Sequence, residues 1–497
     1  MAANATGGVG VRVKGTTSPR LAPDSRNDAR LHGRFRALLA VLLIALASLG
    51  GALFLAHERA DQADDSLVAG AAAPLDLRAL LASAGGSDQR LLDLAFAKVE
   101  DVYYKPIEAQ VLLNGEQQAL AYYLKQNGVR NPQIPHFVAT GDRERDGRLL
   151  DKNLELAESL YGSRVSSTGL TDAAVKGMLD SLDPYTTYLD ADEINGLEES
   201  LRGGDFGGIG VYIGQDPQTK SVLVDPIDGT PAAKAGIKPG DEILQIDGTP
   251  TRTLSLDEVE RLIRGPIGSV VVLLIRNHAG GAVHDVKVTR GHILVPSVYA
   301  KVEDGFDYVR LSDFGQTSYD EVRKALLAGK AKHARGYILD LRNNGGGLLD
   351  AAVDISSLFI PRGTIVSTID RDGARDTRVA TNVSIGAAPL VVLVNQYTAS
   401  ASEITAGAIQ DYRVGTLLGT RTFGKGVVQS IYDLGPQEGA FKITTARYVT
   451  PLGRDIQHKG IEPDIVIKQP VEPEVIDTPK DLQLLAAKDY LRRVARR

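Results

Sequence analysis

The chain has 497 residues, 43% of them hydrophobic, 24% charged and only 5% aromatic, and carries a net charge of −6. That length allows several globular domains with cores of their own, and the acidic balance does not point to nucleic acid as a partner. The absence of cysteine excludes disulfides, thiolate metal sites and a cysteine nucleophile.

Residues 1–36 are rich in Gly, Arg and Ala and read as a disordered tail. Residues 37–57 hold an uncharged apolar run, 37-ALLAVLLIALASLGGALFLA-56, long enough to span a bilayer. Arg12, Lys14, Arg20, Arg26, Arg30, Arg34 and Arg36 precede it against Asp24 and Asp28, whereas Glu58, Asp61, Asp64 and Asp65 follow it with only Arg59. Positive charge stays on the cytoplasmic side, which places the tail inside and the rest of the chain outside. The expectation is a single-pass anchor in the inner (cytoplasmic) membrane, with the remainder in the periplasm or outside the cell. The competing reading is a cleaved signal peptide ending near Ala45-Leu46-Ala47, but the apolar run continues past that triplet.

An acidic, Ala-rich linker follows over 58–85. Residues 86–198 read as a helical domain, with amphipathic stretches at 90–104, 115–128, 148–162 and 171–182. Residues 199–292 change pattern. The run 207-GGIGVYIG-214 is a glycine turn leading into an alternating strand, 229–250 supplies turns around a short helix and a strand, and 255-SLDEVERLIRG-265 is an amphipathic helix. This resembles a PDZ domain, in which backbone N–H groups hold a peptide's terminal carboxylate and the peptide adds as a strand beside the helix. The resemblance puts the carboxylate loop at Gly207, Gly208, Ile209 and Gly210, with Val259 and Leu262 lining the side-chain pocket. Residues 293–470 alternate strands and helices, which predicts an α/β core. The tail from 471 to 497 ends in an amphipathic helix, 480-KDLQLLAAKDYLRRVARR-497, suited to packing on the core or on a second subunit.

Chemistry concentrates in 391-VVLVNQYTASASEITAGAIQDYRVGTLLGTRTFGKGVVQS-430. A buried strand, a polar turn and a helix from about Ser400 place a serine where helix-start N–H groups are unpaired and can hold an oxyanion. No histidine lies between His333 and His458. Lys425 can serve as the base instead, once burial favours its neutral amine. Moving that amine from about 10.4 towards 7–8 costs on the order of 4 kcal/mol, which a closed site must supply. Gln429, four residues along a strand pattern, shares a face with Lys425 and can orient the amine. Ser402 is read as a helix cap. Residues 419-GTRTFGKG-426 nearly match a phosphate-binding loop, but Gly426 stands where the magnesium-binding hydroxyl belongs, and a strand rather than a helix follows.

ASASEI, FGKGVVQ, 340-DLRNNGGG-347 and 447-RYVTPLGRDIQHKGIEPDI-465, in this order over roughly residues 170–470, resemble the carboxyl-terminal processing (tail-specific) peptidases. The resemblance implies a serine endopeptidase with a Ser–Lys dyad on a crotonase/ClpP-like core at 293–470. It implies Ser400 as nucleophile, Lys425 as general base and Gln429 as its orienting partner. The oxyanion donors would be the N–H groups of Ala401 and Gly346. Arg264 falls where some members place an arginine that couples PDZ occupancy to the active site. 183-DPYTTYL-189 resembles the family's motif after its N-terminal helices, which makes residues 106–168 look like an insertion. Thr398 departs from the glycine-serine common before the nucleophile. The expected partners are protein substrates with exposed C-terminal tails, together with a homodimeric copy and an adaptor protein that the resemblance admits. No metal or other cofactor is expected. The rivals are a catalytically silent PDZ scaffold and an acyl-CoA enzyme on the same core fold, the latter disfavoured by the outward topology.

Overall fold

The computed structural model describes residues 53–54, 87–202, 206–216, 219–227, 229–278, 281–293, 295–435, 437–469 and 475–495. The expected tail at 1–36, the linker at 58–85 and all of the expected anchor except Leu53–Phe54 lie outside these. Among the described residues no helix is long and apolar enough to cross a membrane.

A two-residue strand, β1 (Leu53–Phe54), precedes the helical segment of α1 (Ser87–Val102), α2 (Ala109–Gln126), α3 (Arg143–Tyr161) and α4 (Ser167–Asp180). These helices begin three to six residues earlier than the expected stretches, and the first turns of α1 and α3 are polar. Asp142 and Ser166 cap α3 and α4 by accepting the N–H groups of Arg145 and Gly169. Leu92, Tyr103, Leu112, Leu120, Leu154 and Met178 form one core with Phe441 and Ile443 from a strand far along the chain. The helical segment is thereby docked on the sheet that carries the candidate site. β2 (Thr187–Leu189) follows directly, and α5 (Ala191–Leu201) leads on to the next unit.

That unit comprises β3 (Phe206–Gly208), β4 (Val211–Gln215), β5 (Val222–Pro226), α6 (Pro231–Lys234), β6 (Asp241–Ile246), β7 (Thr249–Pro250), α7 (Leu256–Ile263), β8 (Val270–Arg276), β9 (Val283–Thr289) and β10 (Gly291–Ile293). Its sheet runs β4-β5-β6-β8-β9, with β7 on β6, and β10 pairs antiparallel with β3. β4 is therefore an outer strand, open to an added strand on the side of α7. Ser255 and Glu258 close a capping box at the start of α7.

The remaining elements are β11 (Val298–Glu303), β12 (Phe306–Leu311), α8 (Ser318–Ala331), β13 (Tyr337–Asp340), α9 (Leu349–Ser357), β14 (Thr364–Ile369), β15 (Arg375–Val379), β16 (Leu390–Val394), α10 (Ala401–Asp411), β17 (Thr416–Gly419), β18 (Val427–Gly435), β19 (Gly439–Val449), β20 (Ile465–Val466) and α11 (Leu482–Val494). One sheet runs β11-β12-β13-β16-β17-β20, parallel from β12 onward. Its central strands β13 and β16 are buried along their whole length, as sheets covered on both faces require. α8, α9 and α10 contribute to the core on one face, and α11 covers the other through Leu484, Ala487 and Leu491. Of the two sites open to α11 from sequence, it takes the core of its own chain. A second sheet runs β18-β19-β14-β15, with β2 on β19 and β1 parallel to β18 at Gln429 and Ser430.

Candidate active site

The site forms where three parallel strands end. β13, β16 and β17 are neighbours in register, Asp340 beside Leu393 and Val394 beside Gly419. Their C-terminal ends therefore lie together, where open α/β sheets bind ligands. The Gly-rich loop leaves β13, the serine turn leaves β16, and the lysine segment leaves β17.

Several bonds join the first two loops. Asn343 N–H donates to Asn395 Oδ1 at 3.0 Å and Asn395 Nδ2 returns a bond to Asn343 Oδ1 at 2.7 Å. The carbonyl of Asn344 accepts from Ala399 N–H and from Ser402 Oγ, each at 3.0 Å. Ser402 thus lies inside α10 and ties the helix to the loop rather than capping it. Gly346 presses so closely on the serine turn that a Cβ there would sit 2.8 Å from Ser400 Cβ, and its φ is +108°. Only glycine fits. Its N–H donates to Asn344 Oδ1 at 2.9 Å.

Ser400 is the residue immediately before α10, with φ 58° and ψ −118°. A non-glycine residue there stores on the order of 1–3 kcal/mol of strain, held in place by its surroundings. It is 0% exposed, and its Oγ has no hydrogen-bond partner. Glu403 supplies the local restraint. Its Oε2 accepts from the N–H groups of Ser400 (3.0 Å) and Lys425 (2.9 Å), while Oε1 accepts from Gly424 N–H (2.8 Å) and the Thr422 hydroxyl. One carboxyl oxygen therefore holds the backbones of both Ser400 and Lys425, which brings two positions 25 residues apart side by side. Tyr448 bridges the same two residues from the other side, its hydroxyl within hydrogen-bond reach of both carbonyl oxygens.

Lys425 lies in the turn before β18, and its neighbour Gly424 has φ +90°, where a Cβ would also meet Gly460 N at 2.7 Å and Lys459 N at 3.0 Å. The lysine is 2% exposed and its Nζ has no hydrogen-bond partner. Nζ stands over the Tyr185 ring, 4.2 Å from its centroid. Burial, reinforced by the charge of Lys442, lowers the amine to about 7, against the weaker pull of Asp183 and Glu403. Burial raises Glu403 to about 7, against its hydrogen bonds from Thr422 and the three N–H groups.

Gln429 is 1% exposed and donates to Thr444 Oγ1 at 3.1 Å, just past a register irregularity between Val428 and Gln429. It makes no hydrogen bond to the Lys425 amine in this arrangement. Behind the Gly-rich loop, Arg342 is 1% exposed and bonds both oxygens of Asp340 and both of Asp481, plus Gln483 Oε1. Burial opposes ionisation of Asp340, yet its pairing with Arg342 and bond from Tyr308 carry it below the ordinary carboxylate range. The terminal segment is thereby stapled under the loop. Sequence reasoning missed Glu403, Tyr448, Arg342, Asp481 and Tyr185. Only Glu403 carried a local signal, the serine-x-x-glutamate spacing of a capping box.

Comparison with known proteins settles the lineage. Residues 306–467 match the profile of peptidase family S41, and residues 222–277 match that of a PDZ domain. The chain is 42% identical over 329 residues to a carboxyl-terminal-processing protease of Synechocystis sp., covering 65% of this chain and 77% of that protein. The chain belongs to the carboxyl-terminal-processing protease family. A Bartonella bacilliformis carboxy-terminal-processing protease is 41% identical, covering 61% of this chain and 70% of its own length. A chloroplastic C-terminal processing peptidase of Tetradesmus obliquus is 36% identical, covering 61% and 68%.

In this family member the expected carboxylate loop splits in two. Gly207 and Gly208 are paired with β10, and Gly207 also accepts Gly265 N–H at 3.0 Å. Ile209 is buried, and Gly210 (φ +74°) abuts Thr230. Val259 is 0% exposed and belongs to the PDZ core, whereas Leu262 is half-buried against it. Arg264 ends α7 paired with Glu199 of α5 and with Glu260. It ties the PDZ helix to the helix that precedes the PDZ domain.

Proposed function

We propose that this peptidase is a serine endopeptidase that processes protein C-termini through a Ser400–Lys425 dyad. The observation that carries the reading is a strained, buried serine whose backbone shares one carboxyl oxygen with a buried lysine lowered to about 7. Ser400 Oγ attacks the peptide carbonyl while the neutral Lys425 amine takes its proton and then passes it to the leaving amine. Water hydrolyses the acyl-enzyme with the same base. Ala401 N–H at the start of α10 is one oxyanion donor. Gly346 is the other once its N–H turns from Asn344 Oδ1, and Gln429 orients the amine when substrate closes the dyad. Neither Ser400 Oγ nor Lys425 Nζ has a hydrogen-bond partner, which fits a resting site whose catalytic bonds tighten on substrate.

The PDZ domain reads the tail. Its outer strand β4 beside α7 supports strand addition, with Gly207 to Gly210 at the carboxylate end and Leu262, backed by Val259, at the pocket. Tethering raises the local concentration of the scissile bond. The apolar run from residue 37 and its charge asymmetry support a membrane anchor that ends before Leu53–Phe54, which pair with β18, and leaves the catalytic part outside the cytoplasm.

The test is cleavage of an unfolded protein with an apolar C-terminal tail, free or amidated. Ser400→Ala, Lys425→Ala and Lys425→Arg should each abolish cleavage, since guanidinium cannot release its proton. The wild-type kcat/KM should rise through about pH 7, the region in which the amine becomes neutral. Amidation should slow cleavage. An active Lys425→Arg enzyme removes lysine from the mechanism, and equal rates on both tails remove C-terminal reading.

A further inference from the structure

The amine of Lys425 is enclosed by parts of the chain remote in sequence, and one of them does not belong to the α/β core. Tyr185 comes from the turn between α4 and β2, at the end of the helical segment. That turn is closely built. Asp183 Oδ1 accepts the N–H groups of Tyr185 (2.7 Å) and Thr186 (3.0 Å), and its Oδ2 accepts the Thr186 hydroxyl at 2.9 Å. Thr186 Oγ1 accepts Thr444 N–H at 3.0 Å and lies 3.2 Å from Thr444 Oγ1, the group that also receives Gln429 Nε2. Tyr104 N–H donates to the carbonyl of Thr444 at 3.0 Å, so the segment just after α1 is fastened to the same residue of β19. The turn is thus pinned beside Gln429, and its aromatic ring comes to rest with its centroid 4.2 Å from Lys425 Nζ.

Resting on the Ser–Lys reading above, we propose that Tyr185 is a positioning residue for the base. Its ring roofs the Lys425 amine, shuts water out and holds Nζ on its face, so that the helical segment completes the catalytic lysine. The phenolic hydroxyl plays no part. Two effects of the ring oppose each other. The negative face of the ring favours the ammonium, whereas the exclusion of water favours the neutral amine. With the lysine only 2% exposed beneath the ring, the exclusion of water is taken as the larger effect. The charged and titratable groups around the amine are Lys442 of β19, which also disfavours its charge, and Asp183 of the turn and Glu403 of α10, which favour it. The Tyr448 hydroxyl stays with the carbonyls of Ser400 and Lys425, and its ionisation is pushed far up by burial.

The expected result is specific to a roof. Tyr185→Ala should move the acid limb of the kcat/KM profile upward by about one pH unit, about a fivefold loss at pH 7 that recovers by pH 9. Tyr185→Phe should keep the wild-type profile. The amine should also be titrated directly by NMR of isotope-labelled lysine in full-length Ser400→Ala protein, alone and combined with Tyr185→Phe or Tyr185→Ala. This reads the same shift without activity. An unmoved lysine titration in the alanine variant, or loss of rate equal at every pH, would overturn the proposal while leaving the dyad intact. Retained cleavage by Lys425→Met would instead overturn the dyad reading on which it rests.

Discussion

A buried lysine lowered to about 7 is a standing cost to stability, and replacing it should show how large. In the unfolded chain Lys425 titrates near 10.5, and in the folded protein at about 7. Between these values the folded state binds fewer protons than the unfolded state, so wild-type stability rises with pH across that window. Below it both states are protonated, and the cost of burying the ammonium is fully present. At about 1.36 kcal/mol per unit the difference amounts to about 5 kcal/mol at pH 6, falling to about 2 kcal/mol at pH 9. Methionine matches the length of the lysine stem and carries no charge. Lys425→Met should therefore stabilise the core by up to that amount at pH 6, with the advantage shrinking as pH rises. The assay is urea unfolding at pH 6, 7, 8 and 9, in a Ser400→Ala background that prevents self-cleavage. A gap constant across pH, or a methionine variant less stable at pH 6, would refute the argument that Lys425 is desolvated in the folded enzyme. The trade of stability for a reactive group is the pattern expected at a catalytic position.

Gly346→Ala should abolish acylation, because the new Cβ meets Ser400 Cβ at 2.8 Å and the residue must also hold φ +108°; the burst of product in single-turnover kinetics reports it. Asp481→Ala removes half of the carboxylate partnership of Arg342 and leaves a buried guanidinium short of charge. It should cost about 3–5 kcal/mol in denaturant unfolding and lower activity together with stability. Arg264→Ala breaks the pairs with Glu199 and Glu260. It should reduce turnover of tailed substrates while leaving peptide binding by the PDZ domain within about twofold, because a partly exposed ion pair contributes little to folding; calorimetric peptide titration beside a cleavage assay separates the two effects.

By itself the sequence determined most of what is local or repeated along the chain. Alternation of strand and helix placed the α/β core, a glycine turn and a capped amphipathic helix marked the PDZ unit, and the serine turn and glycine-flanked lysine singled out Ser400 and Lys425 as the proposed reacting pair. Each of these is written in neighbouring residues, because periodicity, caps and turns depend on interactions a few positions apart. Tertiary structure decided what surrounds Ser400 and Lys425. Asp481 reaches Arg342 across 139 positions, Thr186 meets Thr444 across 258, and Tyr185 stands over a lysine on a different sheet segment. No short-range pattern encodes such pairings. Val259 illustrates the limit: its place on the amphipathic helix was legible, but whether that face met a ligand or the domain's own core depended on the sheet beneath it. The lysine shows the same division. Its identity and spacing from Ser400 could be read directly, whereas its lowered amine exists only because the fold closes around it, since desolvation belongs to an environment assembled from the whole chain.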